Sequence, residues 1–272
     1  MKLRTYNDLH LDHYSSVGKL WYPPELPDDK DTILILAGDL WIGTRFIEYA
    51  GHSWISNVAP RFKQVLIVLG NHDYWPCNQD LTILRGAEKC NSMLQDFDIQ
   101  NVKVLDCDTY QDPDHPDILF VGATLWTDMK KSDPLTMHNM SQFMAYDGKI
   151  AYETGEGGAW SRFTSEKWIR THNRHRDYIK LITEQNPDKK IVVITHHLPL
   201  ETLGDPRYIG NCDNYYYYSD LSNIILDNKN IMLWLYGHSH FQKDTMMVHC
   251  RFINNAVGYI SEMMEGQRLV KH

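Results

Sequence analysis

Four unbroken apolar runs recur along the chain, each closed almost at once by glycine, threonine or tyrosine and then by polar side chains. Thr32–Leu36 (TILIL) leads into Ala37-Gly38-Asp39, and Val65–Leu69 (VLIVL) into Gly70-Asn71-His72-Asp73. Lys190–Ile194 leads into Thr195-His196-His197-Leu198-Pro199, and Ile231–Leu235 into Tyr236-Gly237-His238-Ser239-His240. Runs of this length without alternation suit strands buried on both faces. A fifth strand, Lys2–Tyr6, runs into Asn7-Asp8-Leu9-His10. Stripes at helical spacing separate them. Phe46, Ile47, Ala50, Trp54, Ile55 and Val58 predict a helix over 44–58; Leu81, Leu84, Ala87, Leu94 and Phe97 predict one over 79–97. Thr164 or Ser165 caps a third, running to about Glu184 with Trp168, Ile169, His172, Tyr178, Ile179 and Ile182 near one face and His175 at its edge. The succession strand, Gly-Asp, helix, strand, Gly-Asn-His-Asp is a βαβ unit.

Shorter strands are expected at Val102–Leu105 and Ile118–Val121, with the turn loop QDPDHPD before the second, and a closing hairpin at Met246–His249 and Arg251–Ile253. Residues 20–31, with three prolines and several acidic residues, form a surface loop. Residues 126–162 read as an irregular excursion able to form a lid, with a glycine-rich stretch at 154–158. No repeat or linker interrupts the pattern, so one domain over 1–272 is expected.

Composition removes several function classes. Five cysteines, scattered and never spaced C-x-x-C, fit neither a disulfide framework nor a thiolate zinc site, and reduced structural cysteines are expected. A net charge of −8 disfavours a protein that coats nucleic acid, though not a local basic groove. No apolar run approaches the ~18 residues of a membrane span. The N-terminus MKLRTYNDLH lacks the apolar core of a signal peptide, so a cytoplasmic protein with no membrane partner is expected. The Gly-x-x-x-x-Gly-Lys phosphate loop is absent.

The strand tips carry the chemistry. In extended backbone, Asp8 and His10, two apart, would leave on one face, and His238 and His240 repeat that spacing. D-x-H alone is weak, Gly-Asn is ordinary turn chemistry, and a histidine on a helical stripe, as at His172 and His175, is more often a satisfied core residue than a ligand. His13 and Asp12 read as loop residues. The weight lies in recurrence: Asp8/His10, Asp39, Asn71/His72, His196 with His197, and His238/His240 all follow strands, and strands sharing a sheet system would bring them to one rim. Imidazole, carboxylate and carboxamide without thiolate suit manganese, iron, nickel or zinc. Seven candidate ligands exceed one tetrahedral site and suit two cations sharing a carboxylate. Two carboxylates against two divalent ions leave the site at +2, which lets an anionic phosphate dock in an acidic protein. Two metals ~3.5–4 Å apart can generate a hydroxide and clamp both oxygens of an in-line displacement.

In this order, D-x-H, G-D, G-N-H-D, T-H-H-x-P and G-H-x-H resemble the calcineurin-like metallophosphoesterase superfamily, from about Asp8 to Tyr259. The stretches Thr124–Asp128, Pro206-Arg207-Tyr208 and Gly258-Tyr259 are similar to a branch of small microbial or phage-type members. The resemblance implies an α/β (α+β) fold, a four-layer αββα sandwich of two mixed β-sheets flanked by helices. It implies that Asp8, His10, Asp39 and His240 hold one metal and Asp39, Asn71, His196 and His238 the other, with manganese the first expectation. His72 would then face the substrate, stabilising phosphoryl charge or protonating the leaving oxygen, and His197 would be an outer or substrate contact. Two positions depart from the pattern: Asn7 stands where serine is usual. Ile42 stands where better-known members carry a carboxylate that orients the G-N-H histidine.

The implied reaction is hydrolysis of a small phosphate ester through a metal-bridging hydroxide. Monoesterase, diesterase and nuclease remain open, with nucleic acid not favoured by the charge. Four tyrosines, Tyr215–Tyr218, precede an expected Ser219 helix cap. They read mainly as packing, with alternate members sharing a face. A stacking wall for a planar group, centred on Tyr216, leans the expectation toward a nucleotide-like diester. A non-catalytic scaffold of the same fold would show eroded ligands, and none is eroded.

Overall fold

The computed structural model describes residues 1–264 apart from Val17, 76–80, Ala145 and 154–158. The glycine-rich stretch and Cys77 lie outside the described residues; Cys90, Cys107, Cys212 and Cys250 are free thiols. The strands are β1 (Lys2–Tyr6), β2 (Thr32–Ala37), β3 (Gln64–Val68), β4 (Val102–Leu105), β5 (Asp108–Tyr110), β6 (Ile118–Ala123), β7 (Ala151–Glu153), β8 (Trp160–Arg162), β9 (Lys190–Thr195), β10 (Ile231–Leu235), β11 (Lys243–Met247) and β12 (Cys250–Asn254). The helices are α1 (Leu11–Ser16), α2 (Tyr49–Val58), α3 (Gly86–Asp96), α4 (Met129–Ser132), α5 (Pro134–Phe143), α6 (Ser165–Gln185), α7 (Ser222–Asp227) and α8 (Ile260–Met264). Among the described residues no helix is long and apolar enough to cross a membrane.

One sheet has the order β1-β2-β3-β4, the other β11-β12-β10-β9-β6-β5, and β7-β8 forms a small hairpin. Where two mixed sheets were expected, the six-stranded sheet is mixed and the four-stranded one parallel throughout, since each of its strands returns by a crossover. The continuous apolar runs are explained by three stacked cores. Ile33, Ile35, Leu66 and Val68 point between the sheets, where they meet Phe120, Val192 and Ile194. Their neighbours Leu34, Leu36, Val65 and Ile67 point outward onto Trp54, Ile55 and Val58 of α2 and onto Cys90 and Leu94 of α3. On the far side Leu119, Val121, Ile191 and Val193 pack on Ile179 of α6 and Ile224 and Ile225 of α7. Both faces of each central strand are therefore dry, and the layers run helix, sheet, sheet, helix.

Several elements differ from the sequence reading. The stripe at 44–58 is helical only from Tyr49, after a 3-10 turn at Gly43–Phe46. The stripe at 79–97 is helical only from Gly86: Leu81 and Ile83 are buried on either side of Thr82, which bridges to Ala151, and Ile83 N donates to Ala151 O at 3.0 Å. The excursion 126–162 is more ordered than expected, since Asp133 accepts from Thr136 N at 2.9 Å and Pro134 fills the first position of α5. Ser219 caps no helix; its hydroxyl accepts from Asp128 N at 2.8 Å, and α7 begins three residues later.

Candidate metal centre

The strands of each sheet that carry the motifs are parallel, so β1, β2 and β3 of one sheet and β9 and β10 of the other deliver their C-terminal tips to one end of the sandwich. Close approach is enforced by glycine. A Cβ on Gly38 would lie 2.2 Å from His196 Nδ1, and one on Gly70 would lie 2.1 Å from Asp39 Oδ1. Backbone bonds carry each sheet's pairing on to this rim, Asp8 N donating to Gly38 O at 3.0 Å in one sheet and Gly237 N to His196 O at 2.9 Å in the other, and His238 N reaches across from one sheet to Asp8 of the other.

The extended geometry expected for D-x-H and H-x-H is not found. Asp8, His10, Asp39, His238 and His240 all have positive φ, between 43° and 69°. For non-glycine residues this conformation is costly, and it persists because surrounding bonds over-determine it. His238 N donates to both oxygens of Asp8 at 3.0 and 3.1 Å, and Asn7 Nδ2 holds Asp8 Oδ2 at 2.6 Å and Asn254 Oδ1 at 2.9 Å. Asn7 thus ties β1 to the end of β12. Asp73, quoted in the motif but given no role, accepts from the backbone N–H groups of Asp39, Leu40, Trp41 and Gly70 at 2.7–3.0 Å. Burial, with the Asp39 charge beside it, pushes its carboxyl up to about 7.

The structure brings Asp8, His10, Asp39, Asn71, His72, His196, His238 and His240 into one cluster. Three groups have ligand atoms within 4.8 Å of one another: Asp8, His10 and His240; His10, Asp39 and His72; and Asp39, His196 and His238. Asp39 stands between them, with Oδ2 3.9 Å from the Nε2 atoms of both His10 and His72 and Oδ1 3.4 Å from His196 Nε2. Asn71 Oδ1 lies 3.1 Å from His196 Nε2. His10 and His240 aim their Nε2 atoms at each other, 2.9 Å apart.

These groups fit divalent cations. His196 Nδ1 engages Ala37 O at 3.0 Å and His240 Nδ1 engages Glu262 at 3.0 Å, the outer partners that leave each Nε2 lone pair facing the cluster. His10 Nδ1 and His238 Nε2 are buried without a hydrogen-bond partner. Burial drives the His10 and His238 imidazoles well below their ordinary range, which keeps them neutral and able to ligate. Burial alone would raise Asp39, but the surrounding imidazoles, His196 first, hold it well below the usual carboxylate range; burial would lower His196, but Asp39 lifts it to about 9. In a cluster without cations, protonated His196 is the counter-charge to Asp39.

His197 is fully buried behind His238, ring centroids 4.3 Å apart, with Trp126 and Trp168 on its other sides. That place excludes substrate contact. Tyr216 is half-buried, 5.2 Å from the His238 ring, its hydroxyl donating to Asp147 Oδ2. Tyr217 is more exposed and lies 4.8 Å from the same ring, whereas Tyr218 and Tyr215 pack into the core beside α7. Because Cys212–Tyr216 is a 3-10 turn, the tyrosines do not alternate: the inner two, Tyr216 and Tyr217, face His238, and the outer two, Tyr215 and Tyr218, three apart, meet each other at 5.3 Å. Tyr259 stacks on His10 at 4.3 Å, and His13, in α1 and not in a loop, packs on Tyr259 at 4.7 Å. Glu262, Asn254 and Asp147 carried no signal in the sequence, because each reaches the site only through tertiary contact. Another donor group, Asp106, Cys107 and His175, is filled by Arg174, whose guanidinium lies 2.6 Å from Asp106.

The family model for calcineurin-like phosphoesterases matches residues 1–242. The uncharacterized protein L509 of Acanthamoeba polyphaga mimivirus is 28% identical over 275 residues, which span 96% of this chain and 92% of that protein. Phosphopantetheinyl hydrolase (PptH) of Mycobacterium tuberculosis superposes with a TM-score of 0.69 at 16% identity, over 99% of this chain and 93% of that one. A candidate 5′-nucleotidase of Staphylococcus aureus superposes at 0.50 and 15% identity, over 93% of this chain but 48% of that one. At these identities the two structures establish the shared fold.

Proposed function

The chain belongs to the calcineurin-like phosphoesterase family, and from that premise we propose that it is a dinuclear metal-dependent hydrolase of small phosphate esters, with a preference for nucleotide-like diesters. One observation carries the reading: Asp39 turns one oxygen toward His10 and the other toward His196, between two groups of donors. Asp8, His10, Asp39 and His240 would hold one ion, and Asp39, Asn71, His196 and His238 the other, with manganese the first choice. Two bound divalent ions would supply an activated water and neutralise charge on the transferring phosphoryl group.

The chain's own residues do the rest. Asn71 and the neutral imidazoles present oxygen and nitrogen without adding charge, so the site keeps the positive balance that draws in a phosphate. His72, whose backbone N–H donates to Asp39 Oδ1 at 2.9 Å, is fixed against the bridging carboxylate and is placed to stabilise phosphoryl oxygens or to give a proton to the leaving oxygen. Tyr217 beside His238 and the aromatic side chains beside His72 give a planar leaving group two surfaces on which to stack, which supports the diester lean.

The manganese-loaded protein, assayed on an aryl monoester, an aryl diester, cyclic nucleotides and single-stranded DNA, is expected to cleave the diester and a cyclic nucleotide faster than the monoester. Turnover should vanish with chelator and return with metal. Cleavage of the monoester alone removes the diester preference. A protein that holds two ions and cleaves none of the four is a scaffold, and the reading fails.

A further inference from the structure

No polar partner among the described residues fixes the His72 ring from outside the cluster. Its Nδ1 is buried without a hydrogen bond, its Nε2 comes no closer than 3.9 Å to Asp39, and Ile42 offers no oxygen. A group that must aim a proton at a departing oxygen needs its ring plane held. The ring is held by stacking. The Trp75 indole lies face to face with it, centroids 3.6 Å apart and planes 24° apart, and Tyr146 continues the stack at 5.0 Å and 23°. The His10 ring meets His72 edge-on at 4.6 Å from another side.

The indole is itself anchored. Trp75 Nε1 donates to Asp147 Oδ1 at 2.7 Å, and Asp147 is 2% exposed. The same carboxylate accepts from Asn71 Nδ2 at 3.2 Å, which turns Asn71 Oδ1 toward His196, and from the Tyr216 hydroxyl. One buried carboxylate in the excursion therefore fixes both the carboxamide after β3 and, through the indole, the imidazole next to it.

We infer that Trp75, anchored by Asp147, is the positioning residue of His72, setting the plane of its ring by stacking where no carboxylate does so. Resting on the hydrolase reading above, this gives the excursion 126–162 a part in the chemistry in place of a part in covering it. A stack that merely fills space would cost stability when removed but would not distinguish one leaving group from another.

The test compares the parent with Trp75→Leu, which removes the stack, and Trp75→Phe, which keeps a flat face. Each is assayed on matched phenyl and p-nitrophenyl esters of the class the parent cleaves. If Trp75 aims the proton donor, Trp75→Leu loses about tenfold or more in kcat/KM on the phenyl ester, whose leaving oxygen needs the proton. It loses less than about threefold on the p-nitrophenyl ester, and Trp75→Phe recovers most of the difference. Metal content should stay at the parent's level in both variants. In metal-free protein the His72 ring-proton signals, recognised by their absence from His72→Asn, should lie upfield under the indole and move downfield in Trp75→Leu. Equal losses on both esters, or His72 signals that do not move, overturn the inference. A parent that holds its metals yet cleaves neither ester overturns instead the hydrolase reading beneath it.

Discussion

At the scale of single residues, the site is built by forcing short polar side chains into backbone conformations they rarely adopt. Positive φ at Asp8, His10, Asp39, His238 and His240 turns each side chain sharply off the end of its strand. The spacing D-x-H was legible, but the reason first attached to it, two side chains on one face of an extended strand, does not apply. Neighbouring residues converge because the chain coils. Asp39 is the least replaceable of the set: its two oxygens face different donor groups, and His196 balances its charge. Asp39→Asn keeps the shape and removes the charge. It should therefore fold as the parent does by circular dichroism, hold less metal by elemental analysis, and lose more than about a hundredfold in kcat, beyond what loss of an outer partner alone produces. Parental turnover in that variant would remove Asp39 from the centre of the site.

At the scale of elements, α6 shows how a histidine-rich stripe serves structure. His172 Nδ1 donates to Leu125 O at 3.1 Å and Trp126 O at 3.3 Å, His175 Nδ1 accepts from Leu125 N at 3.0 Å, and Trp168 Nε1 donates to Thr127 Oγ1 at 3.1 Å. The segment so held has positive φ at Leu125 and Trp126 and again through Met129–Ser132, and it begins beside Thr124, whose carbonyl accepts from His196 N and His197 N. Both histidines, left unassigned by the sequence, are buried, and the helix props up a strained turn next to the site. Burial, reinforced by the Arg176 charge, lowers the His172 imidazole to about 4 from 6.5 against the pull of Asp128 and the two carbonyls. Between those values the unfolded chain takes up a proton that the fold refuses, so stability falls as pH drops from 6.5 toward 4 and is untouched by this group above that window. At about 1.4 kcal/mol per pH unit the loss reaches about 3 kcal/mol. His172→Gln, which keeps a donor for the carbonyls, should flatten that part of the urea-midpoint profile; a slope equal to the parent's would assign the acid limb to other groups.

At the scale of the whole molecule, the donors come from both sheets, so the site can form only when the sandwich is closed. β1, β2 and β3 supply Asp8, His10, Asp39, Asn71 and His72, while β9 and β10 supply His196, His238 and His240. Inside, the His10 and His240 rings face each other Nε2 to Nε2 at 2.9 Å and His238 Nε2 is buried without a hydrogen-bond partner, an arrangement that bound cations would relieve. Metal should therefore stabilise the fold itself. At a hundredfold excess over its Kd each ion contributes about 2.7 kcal/mol. Thermal melts should show the midpoint falling by about 5 °C or more with chelator and recovering with manganese; an unchanged midpoint would mean that the cluster binds no metal in the folded protein.

What the sequence determined by itself was the buried strands that carry the motifs and the chemical character of their ends, because strand cores and tip residues are written in local pattern: unbroken apolar runs, a glycine, then oxygen and nitrogen donors. The βαβ unit and the gathering of the tips at one rim follow from that pattern once the strands are parallel, whereas the four layers were implied by the family resemblance and not by the pattern. Tertiary structure alone decided which partners fix those donors. Asp73 clamping the Gly38-Asp39 turn, Asn254 meeting Asn7, Glu262 behind His240, Asp147 under Trp75, and the withdrawal of His197 into the core depend on residues tens to hundreds of positions apart. Side-chain hydrogen bonds and stacking leave no periodic trace in the chain. They become visible only when packing places one side chain against another.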